Sequence, residues 1–393
     1  MEKVNLHIPL KIALYDANGN KQTLQYNGKL SNDVLNVTEK DQIFEFHNLY
    51  CRPIPALLCD FSAPVKLDYD YTTTQLLSLL KFSNNQFVRW DAAQTLLTQE
   101  LRRNVANFQQ GERLEISPDI LIALAHVLEN YEQDIELATL ILTFPKEIEF
   151  AESFKTIDPD GITAAREFML VQIAEYLKND LLRIYTHIRL DVYQVTQKDI
   201  ALRAMRNVCL SYLAYSNLGN NVVQKHYNNA NNMTDTLAAL NMATKASLPC
   251  RDTLLADFEQ KWQHDGLVMD KWFALQATRP DENVLEIVQT LMEHPSFNFH
   301  NPNRLRSLVG NFINYNLKAF HHISGSGYRF LTDVLIRLND SNPQVAARLI
   351  EPLIRFSRFD EQRQTLMKRA LERLSAVEEL SKDLFEKIEK ALQ

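Results

Sequence analysis

Thr72-Thr73-Thr74-Gln75-Leu76-Leu77-Ser78-Leu79-Leu80 is where the chain changes its period. Thr72 stands where an N-cap belongs, with Gln three residues on, and the leucines that follow recur at helical spacing. Before this stretch the apolar residues alternate. Leu6, Ile8, Leu10, Ile12 and Leu14 keep a period of two, which is strand periodicity. Pro9 inside that run places the strand at an edge or a bulge. Asp16-Ala17-Asn18-Gly19-Asn20 follows, and Asn-Gly is a hairpin turn signal. Lys21 to Tyr26 reads as the returning strand. Gln42 to Phe46 and Val65 to Tyr69 alternate again. Residues 1–71 therefore predict a small antiparallel sheet or sandwich.

From residue 72 to the C-terminus the pattern is helical. Gly111, Gly161, Gly219, Gly266 and Gly310 sit where helices would end, at intervals of about 45 to 60 residues, which suits stacked helix pairs. Helix starts are local. Ser117-Pro118-Asp119, Asp158-Pro159 and Thr196 to Asp199 each cap one, and Ser375 with Glu378 forms a further capping box. Asn301-Pro302 and Asn342-Pro343 put Asn at N-cap and Pro at N1. A polar run, Asn228 to Asp235, reads as a loop feeding a helix capped near Thr234. The count is about fifteen helices with short connections, an array rather than a single bundle. The fold class is mostly α: a large superhelical array of helix pairs preceded by a small antiparallel β-sheet or sandwich.

The chain has 393 residues, a net charge of −7 and 46% apolar content. That length asks for two domains, or one domain and an elongated array. The acidic balance, with no basic run interleaved with aromatics, argues against nucleic acid as a partner. No stretch has the roughly 18 to 20 apolar residues of a membrane span. The start, Met1 to Asn5, has no apolar leader segment. The four cysteines, Cys51, Cys59, Cys209 and Cys250, fit no zinc ribbon and read as small buried residues in a reducing, cytoplasmic compartment.

The residues hold no recognisable catalytic centre. Ten histidines include no H-E-x-x-H, and the adjacent pair His321-His322 points about 100° apart on a helix. No metal site is expected in this chain. Ser324-Gly325-Ser326-Gly327 lacks the Lys of a phosphate loop, and Trp262, Trp272 and Phe273 read as core. One feature rises above this background. Arg304 and Arg306 follow Asn301-Pro302, and Arg348 follows Asn342-Pro343 in the second turn. Helix N-termini are partly positive, so these arginines would make sites that welcome an anion. Gln344 and Arg348 are four apart and share a face, with Arg355 further along nearly the same face. The competing reading pairs these arginines with Glu351, Asp360 or other acids.

Longer strings then carry a resemblance. Phe87-Val88-Arg89-Trp90-Asp91-Ala92-Ala93-Gln94, Ala230-Asn231-Asn232-Met233-Thr234-Asp235, Leu267-Val268-Met269-Asp270-Lys271-Trp272-Phe273, Asn301-Pro302-Asn303-Arg304 and Arg348-Leu349-Ile350-Glu351-Pro352-Leu353 resemble the C-terminal part of the bacterial aminopeptidase N family. So do Pro55 to Cys59 and Ser62 to Lys66, and the likeness runs over essentially the whole chain. The resemblance implies a partial Ig-like β-sandwich over residues 1–71 and an α-helical C-terminal cup domain over 72–393. It implies a zinc-dependent, alanyl-preferring aminopeptidase as parent, whose zinc ligands and G-A-M-E-N and H-E-x-x-H motifs are absent from this chain. The cup would close over the catalytic domain of the same polypeptide, gate access and hold the far end of peptide substrates. Arg306 and Arg348, with Gln344 beside the second, would be the substrate-binding residues. The resemblance also implies a bare surface where the catalytic domain would sit, and an open strand edge near the N-terminus. The alternative is a free-standing helical-repeat scaffold that recognises a protein partner.

Overall fold

The computed structural model describes residues 5–26, 29–30, 33–190 and 192–393. Residues 1–4, read above for the lack of an apolar leader, lie outside the described residues. The chain forms two compact units, residues 1–102 with 116–145 and residues 103–115 with 146–393.

The first unit opens with β1 (Ile8–Lys11), β2 (Ala13–Tyr15), β3 (Gln25–Tyr26), β4 (Lys29–Leu30), β5 (Val34–Val37) and β6 (Ile54–Ala56). They pair antiparallel as β1 with β5, β2 with β6, and β3 with β4. The single strand expected over Leu6 to Leu14 is thus two. It breaks at Ile12, whose N–H makes one more bond in the β1–β5 register, to Asp33 O at 2.6 Å. The Asn-Gly turn forms with Gly19 at φ +84°. The Asp16 carboxylate accepts from the Asn20 side chain and from the N–H groups of Asn20 and Asn18. Those bonds, led by the Asn20 side chain, pull its pKa down to about 2. The returning strand shrinks to a bridge between Tyr15 and Lys21, then β3.

Gln42 to Phe46 and Val65 to Tyr69 are not strands. Their alternation tracks burial: Phe44 and Phe46 pack on the cluster of Ile12, Leu14, Leu24 and Leu35, and the adjoining His47 N–H reaches Gln25 O at 3.0 Å. An extended segment with one wet side shows period two whether or not a partner strand pairs with it.

Four helices complete this unit: α1 (Thr73–Phe82), α2 (Gln86–Gln110, which also enters the second unit), α3 (Pro118–Glu129) and α4 (Ile135–Leu142). The Thr72–Gln75 capping box is present. The strands and α1 are tied by polar contacts as well as packing. Tyr71 Oη donates to Pro55 O at 2.9 Å, and Tyr15 Oη accepts the Asn84 N–H at 3.1 Å. Leu76, Leu80, Leu97, Leu124 and Leu128 fill the interior, each contributing about 1.5–3 kcal/mol when fully removed from water.

The second unit is built around helices Pro159–His187 and Gln197–Leu213, capped by Asp158 and Thr196 as expected. Other expectations shift. Helix Met233–Lys245 is capped by Asn232, two residues before Thr234. Ser375 ends helix Glu361–Ser375 rather than capping one, and Lys382–Leu392 follows Ser381. Among the five glycines expected at helix ends, Gly111 does end one, at φ +70°. Gly161, Gly219 and Gly266 lie in first turns, and Gly310 lies inside a helix. At Gly219 the cause is steric, since a Cβ would stand 2.2 Å from Ala214 O.

The described residues hold twenty α-helical segments, more than expected because several are single turns. The fold is mostly α with a few antiparallel strands at its N-terminal end. Trp272 and Phe273 are buried as predicted, the former donating Nε1–H to Leu255 O at 3.0 Å. Trp262 is half-buried. Cys59, Cys209 and Cys250 are buried, but Cys51 is exposed, against expectation. No helix among the described residues is long and apolar enough to cross a membrane.

Candidate functional site

The two Asn-Pro signals do start helices. Asn301 Oδ1 accepts from the N–H groups of Asn303 and Arg304. Asn342 Oδ1 accepts from Val345 N at 3.2 Å. These caps take up the free N–H groups on which an anion site at either N-terminus would rely. The helices are also short, four residues over Pro302–Leu305 and seven over Pro343–Leu349. Arg348 consequently lies in the last turn of its helix, where the dipole favours a cation, not near an unfavourable N-terminus.

The arginines then separate into two kinds. Arg304 is buried. Its guanidinium meets Asp270 at 3.2 Å, donates to Gly266 O at 3.0 Å and lies over the Phe273 ring at 5.1 Å. It clamps the Pro302 segment to helix Gly266–Ala277 and lies away from solvent. Arg355 is taken by Glu152 at 2.5 Å. Arg306, Gln344 and Arg348 are exposed. Arg306 donates to Asn303 Oδ1 at its own helix start. Among the described residues neither Arg306 nor Arg348 has an acidic partner. The acids that could have competed are engaged elsewhere: Glu351 with Lys387, and Asp360 with Arg363.

Arg306 also opens a π-helical turn, Arg306–Gly310. Such wide turns cost hydrogen-bond quality and recur at functional sites. Asn311 covers the loosened carbonyls, its side-chain amide donating to Arg306 O and Ser307 O at 3.2 and 3.0 Å. Asn314 does the same for Gly310 O at 2.8 Å. A Cβ on Gly310 would lie 3.4 Å from Arg306 Cβ and 3.8 Å from Leu349 Cδ2. The π turn therefore lies against the end of the helix that carries Arg348. Sequence reasoning missed this turn. Its signal was a glycine followed by two asparagines, Asn311 and Asn314, inside an otherwise apolar helical run.

A family model described as "Domain of unknown function (DUF3458_C) ARM repeats" matches residues 73–393. The chain belongs to this ARM-repeat family. A second model, described as "Domain of unknown function (DUF3458) Ig-like fold", matches residues 1–70. Over all 393 residues this DUF3458_C member is 83% identical to aminopeptidase N of Haemophilus influenzae and 50% identical to aminopeptidase N of Escherichia coli. It covers 45% of either protein. The solved structure of Legionella pneumophila aminopeptidase A in complex with aspartic acid matches 99% of the chain, with a TM-score of 0.86 at 28% identity. The chain covers 45% of that structure. Its sequence thus matches the C-terminal region of aminopeptidase N, and it spans about half the length of the curated relatives it matches.

Among the described residues no group of three or more His, Cys, Asp or Glu side chains could hold a metal ion. The residues present do not fit a zinc site, and no zinc step can be built on them. Two histidines are closed to solvent. Burial and Arg206 push the pKa of His226 down; its Nδ1 lies 2.9 Å from Tyr185 Oη. Burial and Arg363 push His321 down to about 3, with its ring stacked on Phe359.

Proposed function

We propose that this chain is the non-catalytic C-terminal portion of a zinc metallo-aminopeptidase that removes N-terminal amino acids from peptides in the cytoplasm. In this reading the helical portion, residues 72–393, closes over the catalytic domain of the same polypeptide and gates access to its cleft. Residues 1–71 form the sandwich that precedes it. The meeting of the two family matches between residues 70 and 73 supports that division. Exposed apolar side chains, Val192, Val195 and Leu267, support a surface made to be covered.

The observation that carries the proposal is a pair of arginines without acidic partners on two segments that touch at Gly310 and Leu349. Arg306 and Arg348, with Gln344 one turn before the latter, bind the distal end of the peptide, its C-terminal carboxylate or a backbone carbonyl. A charged hydrogen bond of this kind is worth about 1.5–3 kcal/mol. In the intact enzyme Arg348→Ala then raises KM for short peptides about tenfold or more, by the usual 1.4 kcal/mol per decade. An unchanged KM overturns the assignment. The chain alone does not hydrolyse alanyl anilides, with or without added zinc. Chelator-sensitive turnover by the pure chain would refute the non-catalytic reading.

A further inference from the structure

A cleft of about 310 Å³ opens in the first unit between the end of α1, the start of α2, the end of α3 and the first turns of α4. That size lies at the small end of ligand sites, roughly 300–1,000 Å³. Behind it stand Val127, Leu137, Ala138 and Ile141, all buried in the core, while its open lining is mainly polar and includes His126, Asn130 and Gln133. Its wall is cationic. Lys81 and Arg89 both line it. Arg89 is half-buried, and its Nε–H is spent on Leu80 O at 3.0 Å. Its two terminal nitrogens have no acceptor among the described residues. A partly buried cation without an acceptor pays desolvation that a bound anion would offset.

The acid on the wall does not fill that role. Asp134 caps α4 by accepting from Leu137 N at 3.0 Å, and its other oxygen accepts from Gln86 Nε2 at 2.6 Å. Two cations facing one engaged carboxylate leave one positive charge unmatched. One unmatched positive charge in a mainly polar opening selects a small ligand with a single anionic head. We propose that this cleft is a second ligand site, for a small organic anion with one carboxylate or phosphate head. It is independent of the peptide-binding arginines and of the proposed function.

The test is a titration of the full 393-residue chain, ¹³C-labelled at Ile, Leu and Val methyls. The probes are phenylacetate, phenyl phosphate and, as the uncharged control, benzyl alcohol. The proposal expects saturable shifts of the Val127, Leu137 and Ile141 methyl signals at millimolar concentration with an anion. Phenylacetate alone marks a carboxylate site, and phenyl phosphate alone marks a phosphate site. Arg89→Gln weakens binding about tenfold, the loss of one charge-assisted hydrogen bond. Lys81 is exposed, so Lys81→Gln keeps the fold and weakens binding about threefold by removing one partly screened charge. Lys81→Gln decides the matter should Arg89→Gln fail to fold. Silent methyls, benzyl alcohol binding as tightly as the anions, or unchanged affinity in Lys81→Gln would each overturn the site.

Discussion

Arg304 and Arg306 stand two positions apart and meet opposite environments. Two steps on a helix turn a side chain about 200°, so one guanidinium enters the core and the other faces water. Arg304 neutralises Asp270 inside, whose side chain keeps 22% exposure. Removing one partner of such a pair leaves an uncompensated charge, so Arg304→Met should cost about 2–3 kcal/mol, the range for buried pairs reduced for that exposure. Arg306→Ala, at a surface position, should stay within about 0.5 kcal/mol. Urea midpoints of the two variants check this, and equal midpoints would contradict the burial contrast. The pairing of Arg304 with Asp270 and of Arg355 with Glu152 could not be read in the sequence. The second pair spans 203 residues, and only the fold brings its members together.

At the scale of elements, the chain's local signals are mostly honest. Thr72, Asp158, Thr196, Asn301 and Asn342 all cap the helices they announce. A cap is satisfied within three residues, so sequence suffices. Strand pairing is different, because alternation in Gln42 to Phe46 says which side is buried and not whether a partner strand is there. Glycine is ambiguous for the same reason. Gly111→Ala should cost about 1 kcal/mol through backbone strain at its positive φ alone, since nothing stands near its Cβ position. Gly219→Ala, facing a backbone oxygen at 2.2 Å, should cost about 1–3 kcal/mol by overpacking. Thermal unfolding of the two variants distinguishes them, and a harmless Gly219→Ala would remove the steric argument. The π turn makes a third case. Asn311→Ala uncovers the Arg306 and Ser307 carbonyls and should cost about 1 kcal/mol. If the turn sets Arg306 for peptide, that variant also raises KM in the intact enzyme. Lost stability with unchanged KM would make the turn purely structural.

For the molecule as a whole, buried neutral histidine sets an acid limit on stability. Burial and Arg363 hold His321 at about 3 in the folded chain, below its ordinary value of 6.5. Between those values the unfolded chain binds the extra proton. Stability therefore rises with pH across that window, is full above about 6.5, and falls as the solution is acidified. The slope from one such group reaches about 1.4 kcal/mol per pH unit. His226, lowered for the same first reason, adds to it. Urea midpoints at pH 7, 6 and 5 should fall more steeply in the parent chain than in His321→Gln. Equal slopes would show that His321 is not neutral when folded.

The sequence by itself determined the change of period at Thr72, the helix caps, the mostly helical class and the family strings. Each depends on residues close along the chain, whose geometry is fixed by one helical turn or one alternation. Tertiary structure alone decided which strands pair, which arginines meet an acid, and which, among the described residues, are left without one. Those outcomes depend on contacts between residues far apart in sequence, where charge, volume and hydrogen-bonding capacity are matched only after the helices have packed. Arg306 and Arg348 look like Arg304 and Arg355 in the sequence. Packing made the first two available and the last two structural.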